Sequence, residues 1–233
     1  MIFYWFLFAL PIIWCLMPAT DGLAKRTGHA VFLLFFVLVI GLRDEVGCDF
    51  YGYIRHFMII NQKDLSGALA EFDFGHVLLN RLMPEIGLDY YAVNLVQGTM
   101  FSIGLFAFVS RQPMPCLTLA CAIPYMVVAV GMGYQRQAAA LGFVVLAINA
   151  FADRKVWLYL FWLFLAGSQH KTAFVFVPFA ALIHGFRLNI WVVGALVVGI
   201  GLGGAMLINA TETYVDRYVT HKDYESCGGL VRK

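Results

Sequence analysis

Long runs of apolar residues are the feature that most constrains this chain. Of its 233 residues, 61% are hydrophobic and 13% are charged, whereas a soluble domain is about 45–50% apolar and about 25% charged. The apolar residues form blocks, which favours membrane-spanning helices of about 17–25 residues over a β-barrel with alternating strands. A net charge of +2 gives no reason to expect a nucleic-acid partner. We therefore predict an all-α, polytopic bundle of transmembrane helices.

Polar breaks divide the apolar blocks into about eight predicted spans. The eight spans are Ile2–Met17, His29–Leu42, Tyr90–Val109, Cys116–Gly131, Ala138–Ala152, Val156–Gly167, Ala173–Ile183 and Ile190–Ile208. Several are short, so we expect them to extend into neighbouring polar motifs or to be broken helices that line a cavity. The amphipathic stretch Phe74–Pro84 is predicted to be an interfacial or re-entrant helix in the first long outer loop. The absence of a repeat or linker indicates a single integral-membrane domain over residues 1–233.

Basic residues in short loops predict the orientation of the spans. The loops assigned to the inner side carry Lys25, Arg26, Arg111, Arg154, Lys155 and Arg187. The opposite side receives four segments, residues 43–73, 132–137, 168–172 and 209–233. Three of these outer segments contain Arg43, Arg136 and Lys171. Because positive charge on the outer side opposes the insertion bias, we expect these cations to be kept for function.

The first outer motif, GLRDEVGCD, places Arg43 directly after an apolar span. The planar guanidinium fork of Arg suits phosphate oxygens. One alternative is an interfacial Arg that extends its charge into water, and another is simple pairing with Asp44, Glu45 or Asp49. Tyr53, a little further on, is either part of a binding site or an interfacial aromatic.

The second outer motif, GYQRQ, places Arg136 between Gln135 and Gln137, with apolar runs on both sides. So short a polar insert lies near helix ends or inside the bundle, where ionisable groups are costly and commonly functional. The alternative is a tight turn whose Arg faces the lipid head groups.

The third outer motif, SQHKT, contains His170 and Lys171. His170 can transfer protons near neutral pH, and Lys171 adds positive charge for an anionic ligand. The alternative is a hydrogen-bonded His in a turn between helices. A shared pocket for an anionic, lipid-attached substrate explains all three inserts together.

The order of these motifs resembles the EpsG family of Wzy-type polysaccharide polymerases, whose architecture is similar to GT-C membrane glycosyltransferases. The likeness rests on GLR-x-x-VG-x-D, GYQRQ, QHKTAF and a tail containing YVDRY and a Gly-Gly turn. It implies an enzyme of the bacterial cytoplasmic (inner) membrane that polymerises oligosaccharide repeat units carried on polyprenyl pyrophosphate. The repeat units would be joined on the outer face, in exopolysaccharide, capsule or O-antigen biosynthesis.

The resemblance also assigns roles to residues. Arg43 and Arg136 would stabilise the charge of the pyrophosphate leaving group, and His170 or Asp49 would act as the base, with His170 favoured. The predicted substrate-binding residues are Arg43, Arg136, Gln137, Gln135, Lys171 and Tyr53. We expect no metal and no cofactor. The expected partners are the lipid-linked oligosaccharide, membrane lipid, a chain-length regulator and other polysaccharide-assembly proteins.

Two other functions fit the same residues: a transporter or flippase of lipid-linked sugars, and a non-catalytic membrane subunit of a polysaccharide-synthesis complex. Polymerases of this kind usually continue for several more helices, so the chain is expected to be the N-terminal part of a longer polymerase or a truncated paralogue. Cys48 and Cys227 both lie on the predicted outer side, where they are candidates for a disulfide.

Overall fold

A computed structural model of the chain describes residues 2–16, 22–47, 49–183 and 194. All of the regular secondary structure in those residues is helical, which confirms the predicted all-α class. The α-helices are α1 (Ile2–Leu16), α2 (Gly22–Gly41), α3 (Phe50–Gln62), α4 (Leu65–Glu71), α5 (Phe74–Glu85), α6 (Tyr90–Val109), α7 (Pro115–Ala122), α8 (Gln135–Ala152) and α9 (Val156–Gln169). A π-helix, Ile123–Gly131, follows α7, and a 3-10 helix, Lys171–Leu182, follows α9.

Helix lengths support one of the eight predicted spans. Within the described residues, α6 is the helix that is long and apolar enough to cross a membrane. The shorter apolar helical stretches are Ile2–Trp14, Thr27–Gly41, Pro115–Gly131, Val156–Gln169 and Lys171–Ala180. The count of eight is therefore not confirmed, and the predicted span Ile190–Ile208, apart from Gly194, lies outside the described residues.

Several predicted spans do extend into the polar motifs beside them. The helix α8 begins at Gln135, so its first turn contains Arg136, and α9 continues to Gln169. The predicted span Ala173–Ile183 is largely a 3-10 helix, which rises about 2.0 Å per residue and covers more distance than an α-helix of equal length.

The first long loop contains three helices where we predicted one. The helix α5 closely matches the predicted Phe74–Pro84, but α3 and α4 were missed. The buried residues of α3 recur at helical spacing, Phe50, Tyr53 and Ile60, yet charged and polar residues between them prevent an apolar block. A search for apolar blocks therefore passes over an amphipathic helix of this kind.

The helix α6 packs closely against α2 and α8 through glycines. A Cβ added to Gly98 would lie 3.1 Å from the main chain of Gly41, and one added to Gly104 would lie 2.0 Å from the carbonyl oxygen of Gly142. The buried Asn94 side chain also donates to the carbonyl oxygen of Gly41 over 2.8 Å. Small residues that let helix backbones approach, with polar side chains between them, are typical of membrane helix packing.

The two ends of the bundle carry different residues. At one end, Arg111 Nη1 lies 2.9 Å from Asp153 Oδ1, which joins two of the loops predicted to be inside. The 20 residues of α6 extend about 30 Å from there, and the predicted outer motifs lie at its other end. The relative arrangement agrees with the predicted alternation. Which end faces outward stays a prediction, and Arg187 lies outside the described residues.

Candidate functional site

Asp73 joins two of the three predicted motifs. Its Oδ2 lies 3.1 Å from Nη1 of Arg136 and 3.5 Å from Nδ1 of His170. Its Oδ1 accepts a hydrogen bond from the main-chain nitrogen of Lys171 over 3.3 Å. The Asp73 side chain is 9% exposed, against 23% for Arg136 and 20% for His170. A half-enclosed cluster of a carboxylate, a guanidinium and an imidazole therefore forms at this end of the bundle.

Asp73 was not among the predicted site residues. It occupies the N-cap position of α5, where an Asp commonly accepts a hydrogen bond from its own helix. Its side chain makes no such capping bond and turns to Arg136 and His170 instead. The position of an Asp before a short amphipathic helix was the available signal, but capping was the more ordinary interpretation of it.

The ionisation of Asp73 follows from these contacts. Burial raises the pKa of the Asp73 carboxyl, but the hydrogen bond from His170 and the charge of Arg136 outweigh burial. The net result is a pKa below its usual range. Asp73 is therefore a carboxylate at neutral pH, and it partly neutralises the Arg136 charge.

Tyr53 and Asp49 lie beside Arg136. Tyr53 is buried, with 4% exposure, and its hydroxyl interacts with Arg136. Burial raises the pKa of the Asp49 carboxyl, while the charges of Arg136 and Arg43 lower it. Because both guanidinium groups act on Asp49, the two arginines lie on the same side of the bundle. These predicted site residues are brought together.

Arg43 is buried, with 5% exposure. Its Nη1 donates to the carbonyl oxygen of Gly131 over 2.5 Å. The suggestion that Arg43 extends its charge into water is therefore wrong. Pairing with the neighbouring acids is also wrong for two of them: Asp44 accepts from the Tyr91 hydroxyl over 2.9 Å, and Glu45 accepts from the Tyr51 hydroxyl over 2.8 Å.

Gly47 brings the first motif against the second. Its φ of +99° lies in the left-handed region, and a Cβ there would lie 2.1 Å from the carbonyl oxygen of Met132. Only glycine combines that backbone conformation with so close an approach. The loop that follows Arg43 is thus held against the main chain that precedes Arg136.

Donor groups without a protein acceptor occur at three of the predicted residues. They are Nε of Arg43, Nε of Arg136 and Nε2 of Gln135, all buried. Gln135 is otherwise bonded through its Oε1, which accepts from the Tyr90 hydroxyl over 3.3 Å. Buried donors are normally paired, so these atoms fit a ligand rich in acceptor oxygens.

Two predicted binding residues are less enclosed. Gln137 is exposed, and so is Lys171, whose main chain rather than side chain contacts Asp73. Arg136 belongs to the first turn of α8 and pairs with Asp73, which contradicts the alternative of a turn whose Arg faces head groups.

A layer of buried polar side chains lies under the cluster and was also missed. It consists of His76, Asn80, Gln97 and Gln169, with exposures of 1%, 0%, 0% and 5%. Gln97 stands inside the most apolar long helix, so a polar residue within a predicted span was the available signal. Burial and the positive charge of Arg136 lower the pKa of His76 well below its usual range. His76 is therefore neutral.

Among the described residues, no group of three or more His, Cys, Asp or Glu side chains is placed to hold a metal ion. Cys48 and Cys227, together with the YVDRY and Gly-Gly parts of the tail, lie outside the described residues. Their predicted pairing and roles are therefore not tested.

The sequence model of the EpsG family matches residues 29–229, which is most of the chain and contains every residue of the cluster. The chain belongs to the EpsG family. Membership confirms the resemblance drawn from the motifs and indicates a membrane protein of polysaccharide biosynthesis. No curated protein and no solved structure matches this EpsG chain.

Proposed function

We propose that this EpsG chain polymerises oligosaccharide repeat units carried on polyprenyl pyrophosphate. The reaction takes place on the outer face of the bacterial cytoplasmic membrane, in exopolysaccharide, capsule or O-antigen synthesis. The observation that carries the proposal is the group of buried donors without protein acceptors at Arg43, Arg136 and Gln135. Guanidinium groups bind phosphate oxygens strongly, and a pyrophosphate offers several acceptors to such a group.

In the proposed reaction, a hydroxyl of the acceptor sugar attacks the anomeric carbon of the growing chain. A new glycosidic bond forms there, and the bond from that carbon to the pyrophosphate oxygen breaks. Arg136 and Arg43 stabilise the negative charge that develops on the departing pyrophosphate. Asp73 engages Nη1 of Arg136, whereas Nε of Arg136 has no protein acceptor and remains for the phosphate.

His170 takes the proton of the attacking hydroxyl. Its Nδ1 faces Asp73, which leaves Nε2 for the sugar hydroxyl and matches the way a carboxylate orients a catalytic imidazole. Asp49 is the second candidate for the base, because burial raises its pKa and a higher pKa makes a stronger base.

An assay with purified components tests the function. The chain, reconstituted in lipid nanodiscs, is incubated with a lipid-linked repeat unit, and products are separated by size. We expect a ladder of chain lengths from the wild type and none from His170→Gln. A wild-type chain that yields no ladder contradicts the polymerase. Movement of the lipid-linked sugar across vesicles would then indicate a transporter, and its absence a non-catalytic subunit.

Substitution of the arginines tests the pyrophosphate assignment. Lys supplies a point charge but lacks the planar fork, so we expect Arg136→Lys and Arg43→Lys to lose most of the ladder. Arg111→Lys is the matched control, since Arg111 pairs with a carboxylate at the opposite end of the bundle. Wild-type ladders from both site variants would contradict the assignment.

A further inference from the structure

Gln97 bridges two helices through a single amide group. It lies in α6 and is fully buried. Its Nε2 donates to Oε1 of Gln169 over 2.8 Å and lies 3.3 Å from Nδ1 of His76. An amide nitrogen carries two hydrogens, so one serves each partner when the neutral His76 carries its proton on Nε2 and accepts through Nδ1.

The two partners of Gln97 are close in sequence to two members of the cluster. Gln169 is the last residue of α9 and directly precedes His170. His76 lies in the first turn of α5, three residues after Asp73. Gln97 therefore ties to α6 both the helix end that presents His170 and the helix start that presents Asp73.

The main chains of α5 and α9 approach each other closely at this point. A Cβ added to Gly75 would lie 2.9 Å from the carbonyl oxygen of Ser168 and 2.6 Å from Nε2 of Gln169. Asn80 contacts the same imidazole, with its Nδ2 3.2 Å from Nδ1 and 3.3 Å from Nε2 of His76, and it donates to the His76 carbonyl oxygen over 2.7 Å. The relative position of the two helices is thus set by polar contacts as well as by packing.

The contacts that depend on this position are long. Asp73 lies 3.5 Å from His170 Nδ1 and 3.3 Å from the Lys171 nitrogen, near the outer limit for hydrogen bonds. A shift of a fraction of an ångström between α5 and α9 is enough to break them. The amide oxygens of Gln97 and Asn80 have no protein partner, which is costly in a buried layer, so this layer is not optimised for stability alone.

We infer that Gln97 and Gln169 are positioning residues that hold His170 against Asp73. Their effect on catalysis rests on the proposed polymerase function, but the geometry they maintain does not. Both side chains are buried and engaged with each other, so both act through the His170–Asp73 contact.

Chemical labelling of histidine tests the geometry without an activity assay. Diethyl pyrocarbonate modifies accessible imidazoles, and mass spectrometry reports the rate at His170 and, as an internal reference, at His29 near the other end of the bundle. We expect Gln97→Met and Gln169→Met each to raise the His170 rate about fivefold, the factor that corresponds to one net hydrogen bond of about 1 kcal/mol. The His29 rate should not change.

Asn149→Leu is the matched control. Asn149 is another buried amide, and it donates to the carbonyl oxygen of Ala107 over 3.2 Å, near the other end of the bundle. This variant should lower the melting temperature and leave His170 labelling at the wild-type rate. A wild-type rate of His170 labelling in both Met variants overturns the inference, whether or not the wild-type chain forms a ladder.

The double variant Gln97→Met/Gln169→Met separates positioning from simple stabilisation. With both partners replaced by apolar side chains, no amide of the pair is left unpaired, so much of the lost stability should return. We expect His170 labelling in this variant to be as fast as in the single variants, and its polymer ladder to be shorter than that of the wild type. Recovery of wild-type labelling together with stability would overturn the positioning role. Failure of the wild-type ladder alone would count only against the polymerase function.

Discussion

Replacing Asp73 with asparagine should affect turnover and anion binding in opposite directions. The change keeps the shape of the side chain and removes one negative charge from the cluster. Asp73 orients His170 and partly neutralises Arg136. The variant therefore orients His170 less well, and it leaves the full positive charge of Arg136 for an anion. We expect slower polymerisation and tighter binding of polyprenyl pyrophosphate.

The size of both effects follows from the contacts. A hydrogen bond to a charged group contributes about 1.5–3 kcal/mol, and the 3.5 Å separation of Asp73 and His170 places this contact at the lower end. Because each 1.36 kcal/mol is tenfold in rate, kcat should fall about tenfold. An anion bound on the far side of the Arg136 fork would lie about 7 Å from Asp73, where charges repel by about 2 kcal/mol. The Arg136 side chain is 23% exposed, so we halve this value and expect about fivefold tighter binding.

The assay measures turnover by ladder formation and affinity by titration of polyprenyl pyrophosphate into nanodiscs that contain the chain. Asp153→Asn is the matched control, since Asp153 pairs with Arg111 over 2.9 Å at the opposite end and should change neither quantity. Weaker pyrophosphate binding by Asp73→Asn would refute the electrostatic reasoning. Wild-type turnover would refute the role of Asp73 in orienting His170.

Three further predictions concern stability, measured by thermal unfolding in detergent. Gly47→Ala should lower the stability of the fold more than Gly87→Ala. Both glycines have positive φ, +99° and +77°, but of the two only a Cβ at Gly47 would contact main chain, at 2.1 Å, and this clash costs about 1–3 kcal/mol of further stability. Equal losses of stability in the two variants would contradict this. Gly104→Ala should lower the melting temperature because its Cβ meets a carbonyl oxygen at 2.0 Å, whereas Gly52→Ala, with nothing within 4 Å, should be neutral or stabilising. Burial, aided by Arg136, lowers the pKa of His56 from 6.5 to about 4, so the folded state binds its proton less readily than the unfolded state. Stability should therefore fall as the pH drops from 6.5 towards 4, and the His56→Phe variant should lose less stability than the wild type over that range. Identical pH profiles of the two proteins would contradict the assignment of this fall to His56.

The carboxylate that meets Arg136 shows what tertiary packing decided. Asp73 and Arg136 are 63 positions apart, and Asp73 and His170 are 97 apart. No local pattern indicates which of the acids in the first long loop reaches the arginine. The acids nearest Arg43 in the sequence accept hydrogen bonds from tyrosines instead: Asp44 from Tyr91 in α6 and Glu45 from Tyr51 in α3.

The helical class, the polar inserts and their alternation between two ends are determined along the chain itself. Apolar blocks and the absence of strand periodicity dictate helices, and short-range charge patterns assign helix ends to one side or the other. The bridge from Gln97 to Gln169 spans 72 positions and exists only because α9 packs on α8, which in turn packs on α6. Local hydrophobicity sets which segments become apolar helices, whereas the partner of a buried polar atom is set by the distance between helices after packing. That is why the sequence indicated Arg136 and His170 as candidate site residues and did not indicate Asp73 or Gln97.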